Sequence, residues 1–238
     1  MNTRSFFAPL ICLTLLVSAH VGAADAKYLT TAYMPDGIAL LPAPPEPGSA
    51  EDHEDAEMAF RVYSTRTPEQ YALGKAEGRL TVFNFARMIG PWFQAEKLPK
   101  TEALFKQAEL DARIATSAVK AHFKRIRPCN ADPQRFSDPI EPAKTTNNSA
   151  GYYTYPSGTT TRSTIYALLM IELFPDKRDA LMAKARESGW LRVQGGVHYP
   201  LDVFAGRVWG QALSYAFLAN PEFQKDFAEV KVEIAAAQ

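Results

Sequence analysis

Arg192-Val-Gln-Gly-Gly-Val-His198-Tyr-Pro-Leu-Asp202 holds a helix end, a glycine break and a helix start in a single run. Pro200 suits the first turn of a helix. The residue before a proline avoids the α region, so His198-Tyr199 reads as an extended or turn segment between two helices. Asp202 then falls in the first turn of the second helix, close enough to bond one imidazole nitrogen of His198. Such a bond fixes the tautomer and leaves the other nitrogen free to attack. Plainer uses compete: a carboxylate at a helix N-terminus for Asp202, and a satisfied structural role for His198. Gly195-Gly196 either admits a close backbone approach or only stops the helix.

Outward from this run the chain reads as helical. Apolar residues recur at three- and four-residue spacing over 51–64, 72–93 and 101–126. Gly78 and Gly90 break or bound the second of these. Helices are also expected over 160–174, 177–193 and 200–218, with a final amphipathic one over 221–236. Arg127-Pro128 is expected to end the third helix. Residues 130–155 carry Asp132-Pro133, Asp138-Pro139, Glu141-Pro142 and Asn147-Asn148 and read as a long irregular loop, which in a compact domain is more often functional than idle. Alternating strand patterns are almost absent. The expected fold class is all-α, a single-domain helical bundle.

The chain has 238 residues, 47% hydrophobic and 22% charged, with a formal net charge of zero. That balance gives no general pull toward nucleic acid or an anionic membrane, so anion binding must come from local clustering. Residues 1–23 read as a secretory signal: Arg4 is positive, 6–17 is an apolar stretch, and Val21-Gly22-Ala23 is a small-residue cleavage site. The stretch is short against the about 20 residues of a membrane span, and Ile11 stands before Cys12 where a lipoprotein signal wants a small residue. The protein is expected in the periplasm or outside the cell, with no stable membrane insertion after cleavage. Residues 24–50 form a strap, rich in proline over 35–48, and 51–238 form the helical domain. Cleavage leaves Cys129 as a single cysteine, read as a small packed side chain rather than a nucleophile.

Two further elements accompany the first run. Lys120 and Arg127 are seven residues apart, two helical turns, which puts both on one face of a helix. Lys124 and Arg125 lie between them, and basic residues at a helix end are favoured by the macrodipole with no ligand present. Pro156-Ser157-Gly158-Thr159 precedes a strongly helical segment. A glycine turn at a helix N-terminus exposes backbone N–H groups that bind anions, although Ser157, Thr159 or Thr160 can equally serve as a simple cap.

In order and spacing the three elements resemble the signature of the type 2 phosphatidic acid phosphatase superfamily. That signature runs lysine, six residues, arginine-proline; proline-serine-glycine-histidine; then serine-arginine, five residues, histidine, three residues, aspartate. Within the superfamily the chain looks most like the secreted bacterial class A non-specific acid phosphatases, over roughly residues 38–218. The resemblance implies the helical bundle of the acid phosphatase and vanadium haloperoxidase type. It implies that Lys120, Arg127 and Arg192 bind phosphate oxygens, with Ser157 and the Gly158 amide completing the cradle. His198 would be the nucleophile, forming a phosphohistidine, and Asp202 would orient it. No metal and no cofactor are implied. The expected partner is a small phosphomonoester or inorganic phosphate, not nucleic acid, and assembly into a homo-oligomer stays open.

The chain departs from that signature twice. Leu191 replaces a serine peripheral to the anion. Thr159 stands where the family has the histidine that protonates the leaving oxygen, and a threonine can only donate a hydrogen bond there. General acid catalysis is typically worth about 10² to 10⁴ in rate. His122 reads as packing or surface, and His53 as a solvated group in the acidic run Glu51-Asp-His-Glu-Asp55. A loop carboxylic acid, Asp138 or Glu141, can replace the acid if the loop folds over the site. The expected function is a metal-independent acid phosphatase weakened at Thr159. The alternative is a catalytically impaired phosphate or phospho-ligand binding protein.

Overall fold

The structure, a computed structural model, describes residues 26–141 and 152–238. The signal reading of 1–23 and the 142–151 part of the expected loop lie outside the described residues. In chain order the helices are α1 Gly37–Leu40, α2 Ala50–Ser64, α3 Pro68–Ala76, α4 Ala86–Ile89, α5 Pro99–Phe123, α6 Pro128–Ala131, α7 Gly158–Ile171, α8 Arg178–Gln194, α9 Pro200–Ala219 and α10 Pro221–Ala237. Among the described residues there is no strand, only an isolated bridge between Ile126 and Tyr153. The fold is all-α.

The most apolar segment forms the centre. α7 is buried along almost its whole length and packs against both α8 and α9, with α5 on a further side. Its first half is rich in hydroxyls, which burial would penalise if they were unpaired. The buried ones are satisfied inside the helix: Thr161 Oγ1 donates to the Ser157 carbonyl at 2.9 Å and Thr164 Oγ1 to the Thr160 carbonyl at 2.8 Å. With its hydroxyls turned inward, α7 can be approached closely. Gly206 and Gly210 of α9 use this. A Cβ on Gly206 would stand 2.7 Å from the Ser157 carbonyl oxygen, and one on Gly210 2.6 Å from that of Thr161. The N-terminus of α7 is thereby clasped against the first half of α9.

α5 carries its apolar residues Leu104, Phe105, Ala108, Ala112, Ala115 and Val119 on the buried face. Asp111 sits among them fully buried. It accepts from the backbone N–H groups of Tyr28 at 2.6 Å and Leu29 at 2.9 Å, which holds the N-terminal segment to the bundle. The segment after α1 touches the domain again where Tyr155 Oη donates to the Pro42 carbonyl at 2.6 Å.

The helix boundaries differ from the sequence reading at three places. The expected helix over 72–93 is broken into α3, 3₁₀ turns over Glu77–Arg79 and Val82–Phe85, and α4, which ends at Gly90 with φ +147°. α5 ends at Phe123, not at 126. Lys124 adopts the left-handed conformation, φ 53°, and its N–H caps the Lys120 carbonyl at 3.0 Å. Arg127 therefore lies outside the helix, and its shared face with Lys120 is not the reason the two meet. The expected loop opens with the short helix α6.

The clasp around Gly206 gives a stability test. Alanine is favoured over glycine in a helix interior by about 1 kcal/mol. At Gly206 the added methyl meets backbone, so Gly206→Ala should instead destabilise by about 1–3 kcal/mol. Urea denaturation showing equal or greater stability would contradict the packing.

Candidate active site

A cavity of about 370 Å³ opens between α5, the N-terminus of α7 and the C-terminus of α8. Its inner wall holds Lys120, Arg127, Glu141, Gly158, Thr159, Arg192 and His198. The three sequence elements thus converge.

Each cation is aimed by a specific contact. Lys120 Nζ donates to the carbonyls of Tyr153 at 2.7 Å and Thr154 at 2.9 Å. The αL turn at Lys124 bends the chain back, and Arg127 Nη1 donates to the Val197 carbonyl at 3.0 Å. Arg192 comes from the last turn of α8 and is 2% exposed. Its Nη2 bonds Glu141 Oε1, while its Nε and Nη1 are buried without a hydrogen-bond partner among the described residues. Buried donors without acceptors are costly, and an anion in the cavity would satisfy them. Burial, with Arg127 and Arg192 as like-charged neighbours, lowers Lys120 well below an ordinary lysine. Burial and Arg192 likewise lower Arg127. A bound anion relieves this repulsion.

At the N-terminus of α7, Gly158 faces open space: a Cβ there would meet nothing within 4 Å. Ser157 is fully buried and is the N-cap. Its Oγ accepts from Thr160 N at 3.4 Å and from Thr160 Oγ1 at 2.9 Å. Its side chain is not in the cavity wall, so the capping use of Ser157 is the one seen here. Thr159 does line the cavity, and no hydrogen bond among the described residues engages its hydroxyl.

His198 is held from behind. Asp202 Oδ2 lies 3.3 Å from His198 Nδ1 and accepts from Tyr199 N at 2.8 Å. Thr154 Oγ1 donates to the same oxygen at 2.5 Å and lies 2.8 Å from Nδ1. With its proton given to Asp202, the threonine oxygen can only accept from the imidazole. Nδ1 then carries the ring proton, and Nε2 keeps its lone pair. Burial, helped by Arg127 and Lys120, pushes His198 from 6.5 down to about 3 against the pull of Asp202. Burial alone would raise Asp202, but the His198 hydrogen bond, the Arg125 charge and the Thr154 hydroxyl hold it at about 2. The pair is a neutral imidazole beside a carboxylate.

Two parts of this support were not read from the sequence. Thr154 is a lone threonine in a loop, with no spacing signal to mark it. Arg125 was read as part of an ordinary basic helix end. It is instead buried, bonding Asp202 Oδ1 at 3.1 Å, Asp55 at 2.8 Å and Asp52 at 3.0 Å, with its guanidinium 4.0 Å over the Tyr199 ring. Asp52 and Asp55, one turn apart on α2, thus reach inward to Arg125, while His53 in the same run is exposed, as its sequence reading expects. His122 is exposed too, edge-on to Phe123. Of the two loop carboxylates, Glu141 enters the cavity. Asp138 does not. It is held by Arg66 and Tyr71. Cys129 is a free, buried cysteine whose thiol is pushed up by burial, in keeping with a packing role.

A sequence model described as the PAP2 superfamily matches residues 110–225, which contain all three elements. The non-specific acid phosphatase of Providencia stuartii is 30% identical over 224 residues, covering 89% of this chain and 86% of that protein. The chain belongs to the PAP2 superfamily. The non-specific acid phosphatase of Salmonella typhimurium is 29% identical over 200 residues, 82% of this chain and 78% of that protein. A solved transmembrane PAP2 type phosphatidylglycerolphosphate phosphatase from Bacillus subtilis covers 75% of this chain and 87% of its own, at 17% identity and a TM-score of 0.49. Among the described residues of this PAP2 chain, no helix is long and apolar enough to cross a membrane.

The protonation state of His198 is directly measurable. The unfolded chain takes up a proton there below about 6.5. The folded chain does so only near 3. This site therefore removes stability as pH falls through that window. In phosphate-free protein the His198 Cε1–H resonance should show no titration between about pH 8 and pH 4. A midpoint near 6.5 would contradict the buried, neutral imidazole.

Proposed function

We propose that this chain is a secreted phosphomonoester hydrolase that passes the phosphoryl group first to His198 and then to water. The observation that carries this reading is the pairing of a neutral, Asp202-anchored imidazole with three buried cations in one cavity. The three cations and the Gly158 amide surround the non-bridging oxygens. Nε2 attacks phosphorus as the ester oxygen leaves. The imidazole gains positive charge, which the Asp202 carboxylate stabilises through Nδ1. Water then attacks the phosphohistidine and frees phosphate.

The cradle acts by electrostatic preorganisation, since phosphoryl transfer asks mainly for positioning and charge stabilisation. Lys120, Arg127 and Arg192 supply that charge themselves, so the reading requires no metal or cofactor. The acid phosphatase relatives support the substrate class. The signal-like pattern of residues 1–23 supports a periplasmic or secreted location.

Thr159 supports a second reading. Without a proton for the leaving oxygen, turnover of poor leaving groups would fall by about 10² to 10⁴, leaving a phosphate-binding protein with impaired catalysis. Comparing an alkyl phosphate with p-nitrophenyl phosphate separates the two: efficient alkyl hydrolysis supports the hydrolase, and turnover of p-nitrophenyl phosphate alone, whose leaving group departs without a proton, supports the impaired reading.

His198→Ala should abolish turnover and the acid-labile phosphoenzyme while the protein stays folded. Wild-type turnover in that variant would overturn the nucleophile assignment. Arg192→Ala should weaken inorganic phosphate binding by about 1.5–3 kcal/mol, the range for a hydrogen bond to a charged group. Unchanged affinity by calorimetry would remove Arg192 from the cradle.

A further inference from the structure

The leaving oxygen departs from the side of phosphorus opposite His198 Nε2. Thr159 has no proton to release there near neutral pH. Three carboxylates are near enough to consider. Asp138 is outside the cavity and has both oxygens engaged, by Tyr71 Oη at 2.8 Å and Arg66 Nη2 at 3.1 Å. Glu109 lines the outer cavity, but Arg162 Nη1 holds one oxygen at 2.5 Å and Tyr166 Oη the other at 3.0 Å. It also lies eleven residues from Lys120 on α5, roughly 16 Å along the axis at 1.5 Å per residue. Glu141 is different. It bonds Arg192, a cradle residue, through Oε1, and among the described residues Oε2 accepts no hydrogen bond. Its side chain is 35% exposed.

The position of Glu141 is built into the backbone. Ile140 N donates to the Gly195 carbonyl at 2.9 Å. The Ile140 side chain fills the space over Gly195, where a Cβ would stand 2.3 Å from Ile140 Cδ1. The glycine break after α8 thus admits Ile140 and delivers the next residue to Arg192. The Glu141 carboxylate is the counter-ion of Arg192. Burial would raise its pKa, but Arg192 and Arg127 hold it below the usual carboxylate range. A phosphate ester competes for the same guanidiniums. Once they turn to phosphate, burial and the neighbouring anion both favour the protonated carboxyl.

We propose that Glu141 is the acid that protonates the leaving oxygen, in place of the residue that Thr159 lacks; this rests on the phosphohistidine reading above. In the first step the Nε2–P bond forms and the P–O ester bond breaks. The Glu141 proton passes to the departing oxygen, giving the alcohol, a Glu141 carboxylate and phosphohistidine. In the second step water attacks phosphorus, the P–N bond breaks, and the water proton returns to Glu141. Phosphate leaves, and both residues are restored.

The test is kcat/KM across aryl and alkyl phosphate monoesters, in wild type and Glu141→Gln. Wild type should depend only weakly on leaving-group acidity. Glu141→Gln should lose about 10² to 10⁴ on alkyl phosphates and far less on p-nitrophenyl phosphate. Inorganic phosphate should bind the variant at least as tightly, because Arg192 has lost its competing carboxylate. An unchanged alkyl rate, or weaker phosphate binding, overturns the proposal. So does a steep leaving-group dependence in wild type, which needs no variant to measure. The two readings fail separately. Absence of any acid-labile phosphoenzyme in wild type removes the phosphohistidine, whereas a phosphoenzyme with unchanged alkyl kinetics in Glu141→Gln removes Glu141 alone.

Discussion

The Asp202 carboxylate is the point on which the site depends. It is fully buried, and a buried carboxylate survives only when donors surround it. Here they come from different parts of the chain: Arg125 after α5, Thr154 before α7, and Tyr199 N–H and His198 before α9. The Asp202 backbone carbonyl also accepts from Ser157 N at 2.9 Å. One residue thus binds together the segments that carry all three motifs. Removing the charged partner of such a buried pair is typically worth about 3–5 kcal/mol of destabilisation, so the bundle as well as the imidazole leans on the Asp202–Arg125 contact.

The front of the site has the opposite character. Lys120, Arg127 and Arg192 are buried side by side and repel one another, and Glu141 is the carboxylate bonded to Arg192 among the described residues. The fold tolerates this because each cation is tied to something rigid: the Tyr153 and Thr154 carbonyls for Lys120, the Val197 carbonyl for Arg127, and the end of α8 for Arg192. The result is a cavity already polarised for a tetrahedral anion, with no rearrangement needed as charge develops. Glu141 moderates the repulsion by pairing with Arg192 and, in our reading, becomes useful once phosphate displaces it.

Much of this was legible from spacing. Lys120, Arg127, Arg192 and His198 were marked by their intervals and all line one cavity, and Asp202 was placed behind His198 by the proline-started helix. What was not legible depended on backbone or on long-range contacts. Lys124 takes a left-handed conformation usually left to glycine or asparagine, so a helix expected to run on to 126 turns early and sends Arg125 inward. Asp52 and Asp55 carried no sign of a buried role because their partner Arg125 lies about seventy residues away. Thr154 carried no pattern at all. The helix expected over 72–93 followed real apolar spacing, but Gly78 and Gly90 divide it. Gly195 was left open between two uses, and the close approach of Ile140 is the one found.

The account makes His198 a covalent carrier between two in-line displacements. The most direct test is the stereochemistry at phosphorus. A monoester made chiral with oxygen isotopes would be the donor and an alcohol the acceptor. Two displacements through phospho-His198 predict overall retention of configuration. Inversion would mean that the acceptor attacks the substrate directly, and would contradict the central role assigned to His198.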